Sequence, residues 1–130
     1  MSGYTLISFG YRYGLPAEAD LVFDTRGLPN PFYVPELREK TGLDAEVRSY
    51  VFSVPESEAY LSAILEVLRL RLVLFEQWNS PLRHPLTVAV GCTGGRHRSV
   101  SMTVRLAEAL QAQGVPVTVF HRDVARTQDA

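Results

Sequence analysis

The chain has 130 residues, 46% of them hydrophobic, and a formal net charge of -1, enough for one compact domain with a core and short for two. A near-neutral balance supplies no whole-molecule field to attract nucleic acid or an anionic membrane, so any anion binding must come from a local cluster of charge. Cys92 is the only cysteine, which excludes an internal disulfide and a multi-thiolate metal site; with no signal-peptide pattern and no long uncharged apolar span, the expected location is the cytoplasm.

In chain order, YTLISFG (Tyr4 to Gly10) and ADLVFD (Ala19 to Asp24) are short β-branched and aromatic runs ended by turn residues, the pattern of buried strands. The next stretch, GLPNPFYVPELREKTGLD, carries Pro29, Pro31 and Pro35. These prolines rule out a long regular element, while Pro35 can open a short helix through Lys40 that Gly42 closes. Asp44 then caps a helix through about Phe52, and Ser53 to Pro55 with Glu56 start a longer one through about Trp78. Leu61, Ile64, Leu65, Leu68, Leu72 and Phe75 recur at three or four residues and form one face of that helix. Trp78 reads as core or an interface anchor, and His84, in the connection NSPLRHP, as ordinary surface.

LTVAVG (Leu86 to Gly91) predicts another buried strand, Ser99 to Gln113 a helix stopped by Gly114, and VPVTVFHRD a last strand. The alternation predicts a small α/β domain with a mainly parallel sheet of about four strands and flanking helices. No internal repeat, low-complexity tract or linker interrupts it.

The stretch VAVGCTGGRHRSVS (Val88 to Ser101) then falls at the carboxyl end of a strand and the amino end of a helix. Ligands of open α/β sheets collect there, because unpaired helix amides and the positive end of the helix dipole meet in a crevice. Gly91, Gly94 and Gly95 allow the backbone to approach an oxygen-rich group closely. Arg96 and Arg98, on either side of His97, add charge-assisted donors, and Thr93 and Ser99 add hydroxyls. The combination suits a phosphate. The alternative is a tight strand-to-helix turn with solvated arginines.

Two nucleophile or nucleotide patterns compete for this loop. GCTGGRHRS has no Lys followed by Ser or Thr at Walker spacing, so triphosphate hydrolysis of that type is not supported. Cys92 and Arg98 do stand in C-x5-R spacing with Ser99 next, the arrangement by which cysteine-dependent phosphatases set a thiolate and a phosphate-gripping arginine around one loop. A small cysteine at a buried strand end is otherwise plain core.

Other strand ends offer polar groups to the same edge. Ser8, Gly10 and Arg12 follow the first strand, and Arg12 can reach an anion or lie solvated on its turn. After the second, Asp24 can accept bonds from sugar hydroxyls or an amine, Arg26 can pair with phosphate or with Asp24, and Asn30 can orient a hydroxyl. His121 and Arg122 end the last strand, either lining the crevice or partly buried. No cofactor motif and no metal-ligand spacing accompanies them.

SFGYRYGLPAEADLVFDTRGLPNPFYVPELREKTGLDAEVRSYV, GCTGGRHRSV and the late HRD are similar, in order and spacing, to the C-terminal domain of the RapZ/YvcJ family. There these stretches read like S-F-G-x-x-x-G, D-x-R-x-L-P-N-P, L-R-x-x-T-G-x-D, G-C-T-G-G-x-H-R-S-V and H-R-D. The resemblance spans nearly the whole chain. It implies a phosphofructokinase-like α/β domain that binds a phosphorylated amino sugar, glucosamine-6-phosphate, and that in enterobacterial members is also an adapter for a small RNA and a ribonuclease. A protein partner, self-association and RNA are thus expected alongside a phosphorylated small molecule, either a phosphorylated sugar or a nucleotide sugar.

Departures narrow this. Family members usually carry a preceding kinase-like domain with a Walker loop, whereas this chain begins near its first strand, so nucleotide binding of that origin is not assumed. Arg96 stands where many members have Lys, and Phe32 where many have a polar ring. The end HRDVARTQDA lacks a dense basic tail, which weakens the expectation of RNA binding.

Overall fold

The computed structural model describes residues 3–78 and 86–126; His84 and the side chain of Trp78 lie outside the described part. Four strands, β1 (Tyr4–Gly10), β2 (Leu21–Asp24), β3 (Leu86–Cys92) and β4 (Val117–His121), form one sheet in the order β2-β3-β1-β4. Every pairing is parallel. Three helices, α1 (Ala45–Val51), α2 (Pro55–Trp78) and α3 (Arg98–Ala112), complete the α/β fold. The carboxyl ends of all four strands therefore meet along one edge.

The strands form because their residues are β-branched, aromatic or small and lack helical spacing. β3 is buried along its whole length and β1 nearly so, as expected of central strands in a parallel sheet. β2 and β4 are edges. Val22 is 42% exposed and Phe120 55%, which corrects the expectation that the second strand is buried: with β3 on only one side of it, half of β2 faces solvent. Asp20 fastens its start by accepting the Thr87 amide at 2.8 Å.

Tyr4, Leu6, Leu86, Val88 and Val90 project from one sheet face into a core completed by Leu61, Ile64, Leu68 and Phe75 of α2 and Met102, Leu106 and Leu110 of α3. Each such side chain contributes roughly 1.5–3 kcal/mol when fully buried. Leu65 and Leu72 lie partly buried against this core. Burial pushes the Tyr4 phenol up to about 12, so it stays protonated and donates to the Leu68 carbonyl. A second cluster, Leu37, Val47 and Val51, seats α1.

The segment after Pro35 is turns rather than the expected short helix. Leu37 and Arg38 both donate to the Val34 carbonyl, making one turn only. The carbonyls of Arg38, Glu39 and Lys40, which a longer helix would use internally, instead face the side chains of His97 and Arg96.

Candidate functional site

Cys92 ends β3, Thr93 to His97 form the loop, and Arg98 begins α3 with His97 as its N-cap. The loop turns sharply. Gly95 has φ +79°, and a Cβ there would run into the Gly10 amide and the Asp123 side chain. A Cβ at Gly10 would likewise overlap the Gly94 backbone. The loop carbonyls of Thr93 and Arg96 accept the amides of Arg12 at 3.1 Å and Gly42 at 2.8 Å, while first-turn helix amides have no intrahelical partner and remain available to a ligand.

A cleft of about 200 Å³ opens at this point, lined by Arg12, Asn30, Phe32, Tyr33, Cys92, Thr93, Gly94, Arg96, His97 and Arg98. None of these residues is acidic, and three are arginines. Arg98 is 6% exposed; its Nη1 donates to the Arg26 carbonyl at 2.6 Å and its Nη2 to Thr93 Oγ1 at 3.5 Å. Arg96 donates to the carbonyls of Glu39 (2.8 Å), Lys40 (3.3 Å) and Arg126 (3.3 Å). Both guanidiniums bond carbonyls and a hydroxyl rather than carboxylates, and Asp24 acts on Arg98 only through space. The Nε of each is buried without a partner, and an unmade hydrogen bond from a buried charged group is costly.

His97 is buried with Nε2 3.2 Å from the Arg38 carbonyl. Burial holds its pKa below the usual 6.5, and the charges of Arg96 and Arg98 push the same way. It is neutral near pH 7 and fastens the loop to the 38–40 turn. At the cleft floor the buried Cys92 Sγ donates to Ser99 Oγ at 3.2 Å, and Ser99 itself is fully buried.

Several residues expected at the site stand behind it. Ser8 is buried and pairs through Oγ with His121 Nδ1 at 2.7 Å. Burial holds the His121 pKa below its usual value. Asp123 accepts the Gly10 amide (2.8 Å), the Arg122 guanidinium (2.8 Å) and Arg126 Nε (2.9 Å). Burial would raise its pKa, but the bonds from Arg122 and Gly10 outweigh that and keep it low. Arg122 also donates to the Gly14 carbonyl at 2.7 Å. Ser8, Gly10, His121 and Arg122 thus back the glycine loop.

Asp24 and Arg26 close on each other at 2.8 Å on the surface, outside the cleft lining. The bond from Arg26 holds the Asp24 carboxyl below the usual carboxylate range, and the Arg26 guanidinium stacks 3.9 Å over Tyr11. Asn30 does line the cleft, with Oδ1 accepting the Phe32 amide at 3.1 Å. Tyr33 and Asp123 escaped the sequence reading. The run N-P-F-Y was the available signal for the first, since a capped, proline-fixed turn presents whatever follows it.

The fold and this edge define a class: a parallel α/β domain with an arginine-rich cleft where a strand, a glycine loop and a helix N-terminus meet. Among the described residues no helix is long and apolar enough to cross a membrane, and no group of His, Cys, Asp or Glu could hold a metal ion. The chain belongs to the RapZ C-terminal domain family, whose profile matches residues 3–125. It is 48% identical to a nucleotide-binding protein of Thermotoga petrophila over 93% of this chain and 42% of that protein. It is also 50% identical to one of Streptomyces coelicolor (94% and 40%) and 51% identical to one of Frankia alni (94% and 41%). The chain thus spans well under half the length of these curated relatives.

Proposed function

We propose that the cleft binds a small phosphorylated sugar, glucosamine-6-phosphate or a close analogue, with the phosphate at the Thr93 to Arg98 turn, and that the domain acts as a cytoplasmic metabolite sensor reporting to a protein partner. The observation that carries this is the guanidinium of Arg98, buried at a helix N-terminus with an unpartnered Nε. A dianionic phosphate supplies the missing charge and acceptors. The volume fits a small ligand, being below the roughly 300–1,000 Å³ of drug-sized pockets. RNA is a weaker candidate, because the net charge of -1 gives little backbone attraction.

The test is calorimetric titration of glucosamine-6-phosphate into wild type and Arg98→Ala. Loss of about 1.5–3 kcal/mol of binding free energy is expected, the range for a hydrogen bond to a charged group. Unchanged affinity would remove the phosphate from this loop.

One contact favours a second reading, a phosphatase: the 3.2 Å bond between Cys92 Sγ and Ser99 Oγ, since a hydroxyl so placed can stabilise a thiolate. The thiolate would displace the sugar oxygen from phosphorus, and water would then release phosphate from the phosphocysteine. Against it, the thiol is almost fully buried. Cys92→Ser separates the two: a sensor keeps its ligand-induced rise in Tm, whereas a phosphatase loses all phosphate release.

A further inference from the structure

We propose that Tyr33 reads the part of the ligand beyond the phosphate, its exposed ring serving as a platform against which a single hexose-sized ring lies. This rests on the phosphate-cleft reading above. Tyr33 is 75% exposed yet lines the cleft. A large aromatic left in water forgoes most of the stabilisation that burying it would bring.

The ring is exposed but its mounting is rigid. Tyr33 closes a 3-10 turn, Pro31–Tyr33, whose first residue has a ring-fixed φ. The Asn30 side chain caps that turn through the Phe32 amide, and the Tyr33 amide donates to the Asn30 carbonyl at 3.2 Å. The Phe32 ring meets Tyr33 edge-on, with centroids 5.7 Å apart and planes at 84°. Arg38 clamps Phe32 in turn, its guanidinium 4.8 Å from that ring and its Nε donating to the Phe32 carbonyl at 2.7 Å. A platform fixed before binding costs little entropy when it is used.

The chemistry of the cleft complements this placement. Arginines and the helix N-terminus make the anionic end, and Phe32 and Tyr33 make an aromatic side. A molecule with a phosphate and one ring of modest size matches both, and about 200 Å³ leaves little room for a base in addition to a sugar. An ammonium on that ring would meet the π face of Tyr33 rather than a carboxylate, because no lining residue is acidic and Asp24 is taken by Arg26.

The experiment titrates inorganic phosphate and glucose 6-phosphate into wild type, Tyr33→Ala and Tyr33→Trp. Tyr33→Ala is expected to weaken glucose 6-phosphate roughly three- to tenfold, the fold-change equivalent to one aromatic contact, and to leave inorganic phosphate unchanged. Tyr33→Trp should retain wild-type affinity or exceed it. Equal affinity of wild type and Tyr33→Ala for the sugar phosphate overturns the inference while leaving the phosphate site standing. Equal weakening of both ligands overturns it too, because Tyr33 would then act on the phosphate end. If wild type binds neither ligand, the phosphate-cleft reading itself falls.

Discussion

Two arginine clusters sit back to back across Gly94 and Gly95, one behind the loop and one in front. Behind it, Arg122 and Arg126 share the buried carboxylate of Asp123, which also holds the Gly10 amide. In front, Arg96 and Arg98 face only carbonyls and hydroxyls. The first cluster is anchored on a buried carboxylate and closed, so it fixes the fold. The second keeps positive charge and two unpartnered buried donors, the observation on which the proposed ligand site rests.

The difference can be broken from either side. Gly95→Ala strikes the partition between the clusters: positive φ costs about 1–2 kcal/mol and the collision with Gly10 and Asp123 about 1–3 more, so a loss of about 2–5 kcal/mol is expected in urea denaturation. Asp123→Asn should cost roughly 2–3 kcal/mol, below the figure for a fully buried pair because both arginines reach solvent. Arg98→Met should invert that outcome. Stability should change by no more than about 1 kcal/mol, since a buried charge gives way to a side chain of similar length, while the Tm rise on adding sugar phosphate disappears. A large stability loss with intact ligand response would show that the front cluster is structural after all.

Acid should loosen both sides modestly. His97 and His121 have folded-state pKa values below the usual 6.5, so between the folded and unfolded values the unfolded chain binds more protons and stability rises with pH. Tm should therefore fall as pH drops through 6.5 and below, and His97→Gln should flatten that slope. A flat Tm over this range in wild type would mean that both rings are freely hydrated. The smallest effect belongs to Asp24→Asn, which breaks an exposed pair outside the cleft. No resolvable change in stability is expected, and glucosamine 6-phosphate and glucose 6-phosphate should be affected alike. A loss confined to the amino sugar would bring Asp24 into the site.

Strands and helices were legible wherever a period was sustained, as in α2, whose apolar face buries Leu61, Ile64, Leu68 and Phe75. The glycine loop was legible because glycine, arginine and a strand-to-helix switch coincide in a few residues. What escaped depends on register. Ser8 meets His121 because those residues are opposite each other on β1 and β4, and no local pattern announces that pairing. Asp123 looks like a surface charge until Gly10, Arg122 and Arg126 are seen around it. Asp24 and Arg26, two residues apart, could serve a ligand or each other, and the sequence does not show that they meet at 2.8 Å outside the cleft lining.

The sheet order has a consequence for how the protein is made. β1 precedes the other three strands in the chain and lies in the interior, yet Tyr4 waits for Leu86 on one side and Val117 on the other. Such long-range parallel pairing is slow to form and leaves an unpaired apolar strand exposed meanwhile. The Gly10 amide finds Asp123 only after β4 has joined. On the ribosome the cleft would therefore be the last part to take shape, and a nascent chain halted short of Asp123 would carry a complete glycine loop with nothing behind it to hold its form.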